Sequence, residues 1–376
     1  TTLDASGPGS LPDAIAERGP RIIVFEVGGV IDLGGRIVEV REPFLTVAGQ
    51  TAPSPGVTLI RGGLLVGAHD IVIRHLRVRP GEAGHPKASG WEPDGLSTLH
   101  GARDIIIDHC SLTWGIDENL SVSSKPFTGA GPDEWRRNAS RRVTFSRNLI
   151  AEGLNRSTHS KVAHSKGSLV MDNCTDILLL GNLWASNVER NPQIKGGSRT
   201  TTVNNLIYNP GVTAVHYHLN DRLWQGRPPV TGRADVVGNV LRHGADTLAG
   251  LALVRFVGNG DLDLHESDNL AFDRHRRGRG VHLEPITEDG ALRVFDERPS
   301  ADEHASRSQE REILHAAIRL LPARCREVML LRYMDGLTYK EIALRLKISP
   351  ETVKIHLAKG LRRCAEHFES AAEDSP

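Results

Sequence analysis

The stretch from Gly181 to Gly197, GNLWASNVERNPQIKGG, gathers groups able to handle an anion. Arg190 and Lys195 stand five residues apart around Pro192, whose ring fixes the local backbone. Two cations at a strand end, beside Gly196 and Gly197, suit a negatively charged ligand that comes close to the main chain. A basic turn that merely solvates a strand end has the same composition. The segment by itself leaves both readings open.

The elements that would hold this segment repeat. IVIRHLRV (71–78), IIIDHCSL (105–112), VTFSRNLI (143–150), ILLLGNLW (177–184), TTVNNLIY (201–208) and DVVGNVLR (235–242) share one plan. A strand-length run of apolar and β-branched residues gives way to a polar or Gly step, then to another apolar pair. Asn148, Asn182, Asn205 and Asn239 occupy the same place in four of them. Stacked at equal positions, they would hydrogen-bond along a ladder at the bends between strands. A unit of roughly 23–38 residues that cannot bury its apolar face alone predicts a solenoid. The strands are too short for a helical solenoid, so the expected fold is mainly β, a parallel β-helix. A β-sandwich fits the strand lengths but not the recurring Asn.

Composition agrees: 38 Gly and 5% aromatic residues favour short strands and tight turns. Lys plus Arg (46) balance Asp plus Glu (46), so no global field steers nucleic acid or a membrane, and charge-driven partners must be read from local patches. Cys110, Cys174, Cys325 and Cys364 lie far apart without metal-ligand spacing and do not decide the redox compartment. No transmembrane run is present. The chain starts at Thr1, which leaves room for a leader removed upstream.

Near residue 275 the texture changes. A charged, turn-rich stretch predicts a linker over 281–300, between a β-rich part (1–280) and a helical part (301–376). The β repeat ends there without an evident cap, which predicts an exposed apolar edge. Beyond it, Ile313, Leu314, Ala317, Ile318 and Leu321 recur at helical spacing, and Pro322 opens a second helix running through Met334. Thr338 with Glu341 predicts a capping box for YKEIALRLK, and Ser349 followed by Pro350 starts a fourth helix. Physically this is a helix-turn-helix, with PETVKIHLAKGLRR able to enter the major groove. Seven Lys/Arg between Lys340 and Arg363 face only Glu341 and Glu351. Lys354, Lys359, Arg362 and Arg363 are candidates for phosphate contacts, and Glu351, Thr352 and Ile355 for base edges. Ile342, Ala343, Leu346, Val353 and Leu357 read as the packing core. A plain helical bundle with a solvated basic face is the alternative.

Six segments in unbroken order over roughly residues 1–275 carry a resemblance. They are LDASGPGSLPDAI, LTVAGQTAPSPGVTLIRGG, EPDGLS, IIIDHCSLTWGIDENLSV, HSKGSL and VERNPQIKGG. This part resembles the pectate lyases, right-handed parallel β-helix enzymes that cleave polygalacturonate by β-elimination. The resemblance implies Arg190 as the base that takes the proton from carbon 5, with Lys166 and Lys195 holding substrate carboxylates. It implies calcium on Asp94 and Asp117, with Leu96 and Ser121 standing where the family pattern has further carboxylates. Glu118 is the residue available to compensate, although in a regular strand it would point away from Asp117. Asp108 and His109 match as interior structural residues. Trp91 and Trp114 suit either stacking on sugar rings or core filling.

The tail, LPARCREVMLLRYMDGLTYKEIALRLKISPETVKIHLAKGLRRC, resembles the promoter-binding C-terminal domain of extracytoplasmic-function sigma factors. That implies duplex DNA, and RNA polymerase, as partners. The two resemblances imply opposite compartments, secreted or periplasmic against cytoplasmic, so the chain reads as a fusion of unrelated segments. The main expectation is a polysaccharide lyase with a separate DNA-binding module. The alternative is promoter binding carried on an inert β-helix.

Overall fold

The computed structural model describes residues 2–161, 163–258, 260–273, 278–279, 283–285, 294–296, 321–333, 337–357 and 359. The chain divides into two compact units, Thr1–Asp296 and Glu297–Pro376.

The first unit is a parallel β-helix. Each coil lays one strand on each of three faces, and successive coils pair in parallel register, except that the second face ends on an antiparallel pair, Leu270–Phe272 with Gly278–Arg279. One ten-stranded face runs from Arg21–Val24 through Arg103–Asp108 and Gly232–Val237 to Val294–Asp296. A second ten-stranded face begins at Gly29–Asp32. The third face is a four-stranded and a five-stranded sheet linked by the bridges Glu118↔Lys166 and Val122↔Val170. Alternation along each strand sends one set of side chains inward, so register stacks like on like: Ile73, Ile107, Phe145 and Leu179 form one continuous interior row. Helix Leu11–Ala16, capped by Ser10 Oγ, covers the first coil with buried Leu11 and Ile15.

The asparagine ladder forms at the corner between the first two faces. Asn148 donates through its backbone N and its Nδ2 to Oδ1 of Asn182, both at 3.0 Å. Asn182 repeats this onto Asn205, and Asn205 onto Asn239. Asn269, which the repeat reading missed, takes the next rung. The second Nδ2 hydrogen of each goes to a backbone carbonyl, for example Asn182 to Phe145 at 2.8 Å. The residue before the Asn turns left-handed, at φ 65° for both Gly181 and Gly238, which explains the Gly step in the repeat.

The junction departs from expectation. Leu283–Pro285 and Val294–Asp296, inside or beside the linker expected over 281–300, pair in parallel with Val254–Gly258 and Leu262–Ser267. The stack therefore continues beyond residue 275. Strands of three residues are too short to show a period among charged turns. The remainder of that stretch lies outside the described residues.

In the second unit, helices Ala323–Tyr333 and Tyr339–Leu346 are followed by a helix over 350–357. The expected helix from Ile313 lies outside the described residues, except for Leu321. Thr338 and Glu341 make the expected capping box, and Ser349 Oγ accepts the Thr352 N–H at 3.0 Å. Ile342, Ala343, Leu346, Val353 and Leu357 are buried with Cys325, Val328 and Leu331 in one core.

Candidate functional site

The chemistry-bearing side chains of the first unit collect on the third face and on the loops leading into it. Strand Gln193–Lys195 buries Ile194 in the core, so Gln193 and Lys195 must point outward. Next to it, Val215–Leu219 sends Val215, Tyr217 and Leu219 inward and His216 and His218 outward. In register, Gln193 faces His216 and Lys195 faces His218. Glu118, Lys166 and Glu189 line up across three successive coils.

A second amide network positions the loops that bear the candidate base and acids. Asn119 Oδ1 accepts the Gly115 N–H at 2.9 Å and its Nδ2 donates to Asn187 Oδ1 at 3.0 Å. Asn187 in turn donates to Asn191 Oδ1 at 3.0 Å, and Asn191 donates to the Thr213 carbonyl at 2.9 Å. Glu118 precedes the first of these residues and Arg190 the last. The backbone of Arg190 is left-handed at φ 63°, with its N–H on Thr213 Oγ1 at 3.2 Å. Its carbonyl lies 2.5 Å from where a Cβ on Gly167 would sit, so only glycine fits beside it.

Arg190 projects between acids. Its Nη1 pairs with Glu118 Oε1 and lies 3.8 Å from Asp117 Oδ1, with the side chain 19% exposed. Burial pulls the guanidinium below its ordinary value, against the opposing pull of Asp117 and Asp94. Lys166 Nζ pairs with Glu189 at 2.7 Å, and Lys195 Nζ lies 3.9 Å from buried Asp172. Burial likewise lowers Lys195, partly offset by Asp172. Burial drives His216 well below its usual value and takes His218 to about 4, so both rings are neutral on this cationic face.

Glu118 corrects the expectation that it points away from Asp117. The backbone from Gly115 to Asn119 is bent rather than extended, and carboxylate oxygens of Asp94, Asp117 and Glu118 lie within 4.8 Å of one another. Burial, reinforced by the Asp117 charge, pushes the Asp94 carboxyl up to about 8. Asp117 goes the other way. Burial would raise it, but the hydrogen bond from His164 and the Arg190 charge together hold it below the usual carboxylate range. Two buried histidines serve Asp117: His164 Nε2 at 2.6 Å and His159 Nε2 at 3.8 Å, their rings stacked at 3.6 Å. These two with Asp117 form a second group whose ligand atoms lie within 4.8 Å. Sequence reading gave neither histidine a role; the only signal was His164 opening HSKGSL. His216 and His218 were visible as alternation in VHYHL, which puts both on one strand face.

Asp108 is structural, as expected. It is 4% exposed and takes hydrogen bonds from Ser146 Oγ (2.7 Å), Arg74 Nε (3.0 Å) and His109 Nδ1 (2.8 Å). Burial would raise its carboxyl; the bonds from Ser146 and His109 outweigh it and hold it at about 2. His109 is not interior: it is an exposed turn residue at φ 53°, stacked on His75 at 4.9 Å. Trp114 is 45% exposed and bonded to Glu152, which removes it from the core, and half-buried Trp91 stacks on His85.

On the second unit, Ile355 is 64% exposed while Val353 and Leu357 are buried, so the 350–357 helix presents Glu351, Lys354 and Ile355 outward. Lys354 Nζ pairs with Glu351 at 2.9 Å, Thr352 is engaged by Ser349, and Lys359 is exposed. Arg362 and Arg363 lie outside the described residues.

Residues 311–364 match the family model "Sigma-70, region 4". Over 66 residues (18% of this chain, 38% of the relative) the protein is 38% identical to the ferric citrate uptake sigma factor FecI of Escherichia coli K12. Over 248 residues it is 34% identical to a probable pectate lyase C of Aspergillus flavus, covering 66% of this chain and 50% of that protein. A probable pectate lyase C of Emericella nidulans is 37% identical over 212 residues, covering 56% of this chain and 42% of its own length. The chain thus spans about half the length, or less, of the curated relatives it matches. Its two parts are similar to two unrelated kinds of protein.

Proposed function

We propose that the β-helix is a polysaccharide lyase that cleaves a 4-linked uronate polymer such as pectate by β-elimination. The observation that carries this is Arg190, sunk between Asp117 and Glu118 on a face that also presents Lys166 and Lys195. The similarity to probable pectate lyases supports the same reading.

The hydrogen on carbon 5 of a uronate is weakly acidic because the charge left behind spreads into the adjacent carboxylate. Lys166 and Lys195 bind carboxylates of the polymer and stabilise that charge. Arg190 in its neutral form takes the carbon 5 proton. The electron pair left behind forms the carbon 4–carbon 5 double bond, the carbon 4–oxygen bond breaks with its pair on the departing oxygen, and that oxygen takes a proton from water. Arginine ordinarily keeps its proton. The burial that lowers this guanidinium acts in the direction the step requires. His216 and His218, neutral and outward, supply donors to substrate oxygens without adding charge.

Asp94, Asp117 and Glu118 form an all-oxygen set that fits calcium. Burial, with the Asp117 charge beside it, raises the Asp94 carboxyl, and a cation held by these oxygens would favour its ionised form. Bound there, calcium would neutralise the substrate carboxylate and so acidify the carbon 5 hydrogen. Ultraviolet absorbance of an unsaturated uronide, formed from polygalacturonate with calcium and lost in Arg190→Ala, tests the proposal. No product from any uronate polymer would sink it.

The second unit is proposed to bind duplex DNA through the 350–357 helix, and to offer its surface to RNA polymerase. The match to the Sigma-70 region 4 model supports this. Lys354 and Lys359 contact phosphates, and Glu351 and Ile355 face base edges. A mobility shift that weakens steeply with salt is expected.

A further inference from the structure

A buried carboxylate lies against Lys195. Asp172, just past the neighbouring strand Leu169–Val170, is fully buried, and its Oδ2 lies 3.9 Å from Lys195 Nζ. Its Oδ1 accepts the Trp224 indole N–H at 2.8 Å. Trp224 is itself fixed, edge-on to Phe127 and Trp135 with ring centroids 5.1 and 6.2 Å away. A Cβ on Gly196 would meet that indole at 3.0 Å, so the glycine after Lys195 lets the ring lie against the strand end. Asp172 Oδ2 has no hydrogen-bond partner among the described residues, and Lys195 is the cation it faces.

A buried acid beside a buried amine is costly unless each serves the other. Burial pushes both toward their neutral forms. The Lys195 charge pulls Asp172 back, and the Asp172 charge pulls Lys195 back. Of the other groups around Lys195, Arg190 and Lys161 act with burial. His218, opposite Lys195 in register and itself influenced by Asp221, is neutral. Lys166 is held differently, because its partner Glu189 is 36% exposed and that pair is screened by solvent and salt. Elimination asks opposite things of neighbouring cations. The base must be without its proton while the group that grips the carboxylate keeps its own.

We propose that Asp172 is a positioning residue: from inside the coil it holds the Lys195 ammonium in place and charged, so that Lys195 still grips a substrate carboxylate at alkaline pH. Asp172 touches neither the polymer nor the reacting atoms. The grip on substrate rests on the uronate reading above; the hold of Asp172 on Lys195 does not.

The test follows Lys195 by carbon-13 NMR of the full chain labelled at lysine Cε, its resonance identified by its absence in Lys195→Arg. Asp172→Asn keeps an acceptor for Trp224 and removes the charge. The Lys195 titration midpoint is expected to fall by about one pH unit or more. Asp172→Ser removes the same charge with a smaller side chain, and the midpoint is expected to fall there too. A midpoint unchanged or raised in whichever of these variants folds would overturn the proposal. Calorimetry with a de-esterified oligogalacturonide, on chains carrying Arg190→Ala so that nothing is consumed, reads the consequence. Adding Asp172→Asn is expected to weaken binding about fivefold more at about pH 10 than at about pH 7. Replacing Lys195 by Arg, whose charge persists, is expected to remove that extra loss. An extra loss that survives Lys195→Arg would show that Asp172 acts through packing, and would equally overturn the proposal. A fallen midpoint with no oligomer bound by any chain counts against the uronate reading alone.

Discussion

Arg190 can accept a proton only after losing its own, and its surroundings set how hard that is. Burial lowers the guanidinium while Asp117 and Asp94 resist, so the deprotonated fraction grows as pH rises. The elimination rate should climb through the alkaline range. Arg190→Ala should lower kcat about 10²–10⁴-fold, read from the ultraviolet product assay. A rate that falls above neutral pH would exclude this residue as the base. Asp108 makes a different prediction, about stability. Its carboxyl is held at about 2, below the ordinary 3.8, so its contribution is complete above the unfolded value and disappears as pH falls toward 2. Asp108→Asn should cost about 2 kcal/mol at pH 7 and almost nothing near pH 2, measured by denaturant unfolding. An equal loss at both pH values would show that packing, not charge, is at stake.

Two amide ladders do different jobs at the level of the coil. The corner ladder from Asn148 to Asn269 lies between the first two faces and fixes the stacking of coils. The other, Asn119–Asn187–Asn191, locks the loops that carry Glu118 and Arg190. Replacing Asn205 by Ala strands the Asn182 N–H and the Leu179 carbonyl in the interior, at about 1–3 kcal/mol for each buried group left unpaired. Its kcat should stay near that of the parent under conditions where it remains folded. Asn187→Ala should lose stability and kcat together, because Gly153 N, Asn119 and Asn191 all lose a partner. Thermal melts beside kinetics separate the two, and a fully active Asn187→Ala would contradict the positioning role. The first ladder was legible in sequence because its asparagines fall at one place in each repeat. The second was not, since 119, 187 and 191 share no spacing and meet only through loops of unequal length.

Across the whole molecule, the proposed elimination and the proposed DNA binding fall on separate units. Chelation should abolish the elimination and added calcium should restore it, whereas DNA binding should be indifferent to both. Lys354→Gln should weaken DNA binding and flatten its salt dependence by about one unit of slope, leaving the lyase signal intact. Arg190→Ala should do the reverse. Loss of both activities from either substitution would mean that the parts are coupled.

The sequence by itself determined the solenoid, the corner ladder, the capping box and the packed face of the helix-turn-helix, because each depends on a fixed local period or a cap a few residues away. It also pointed, through resemblance, to Arg190, Lys166, Lys195, Asp94 and Asp117. Only the tertiary structure brought Glu118 onto the same side as Asp117, set His159 and His164 against that carboxylate, and continued the stack past residue 275. These are meetings between loops from different coils, and their geometry is decided by which coil stacks on which, a relation that no local pattern encodes.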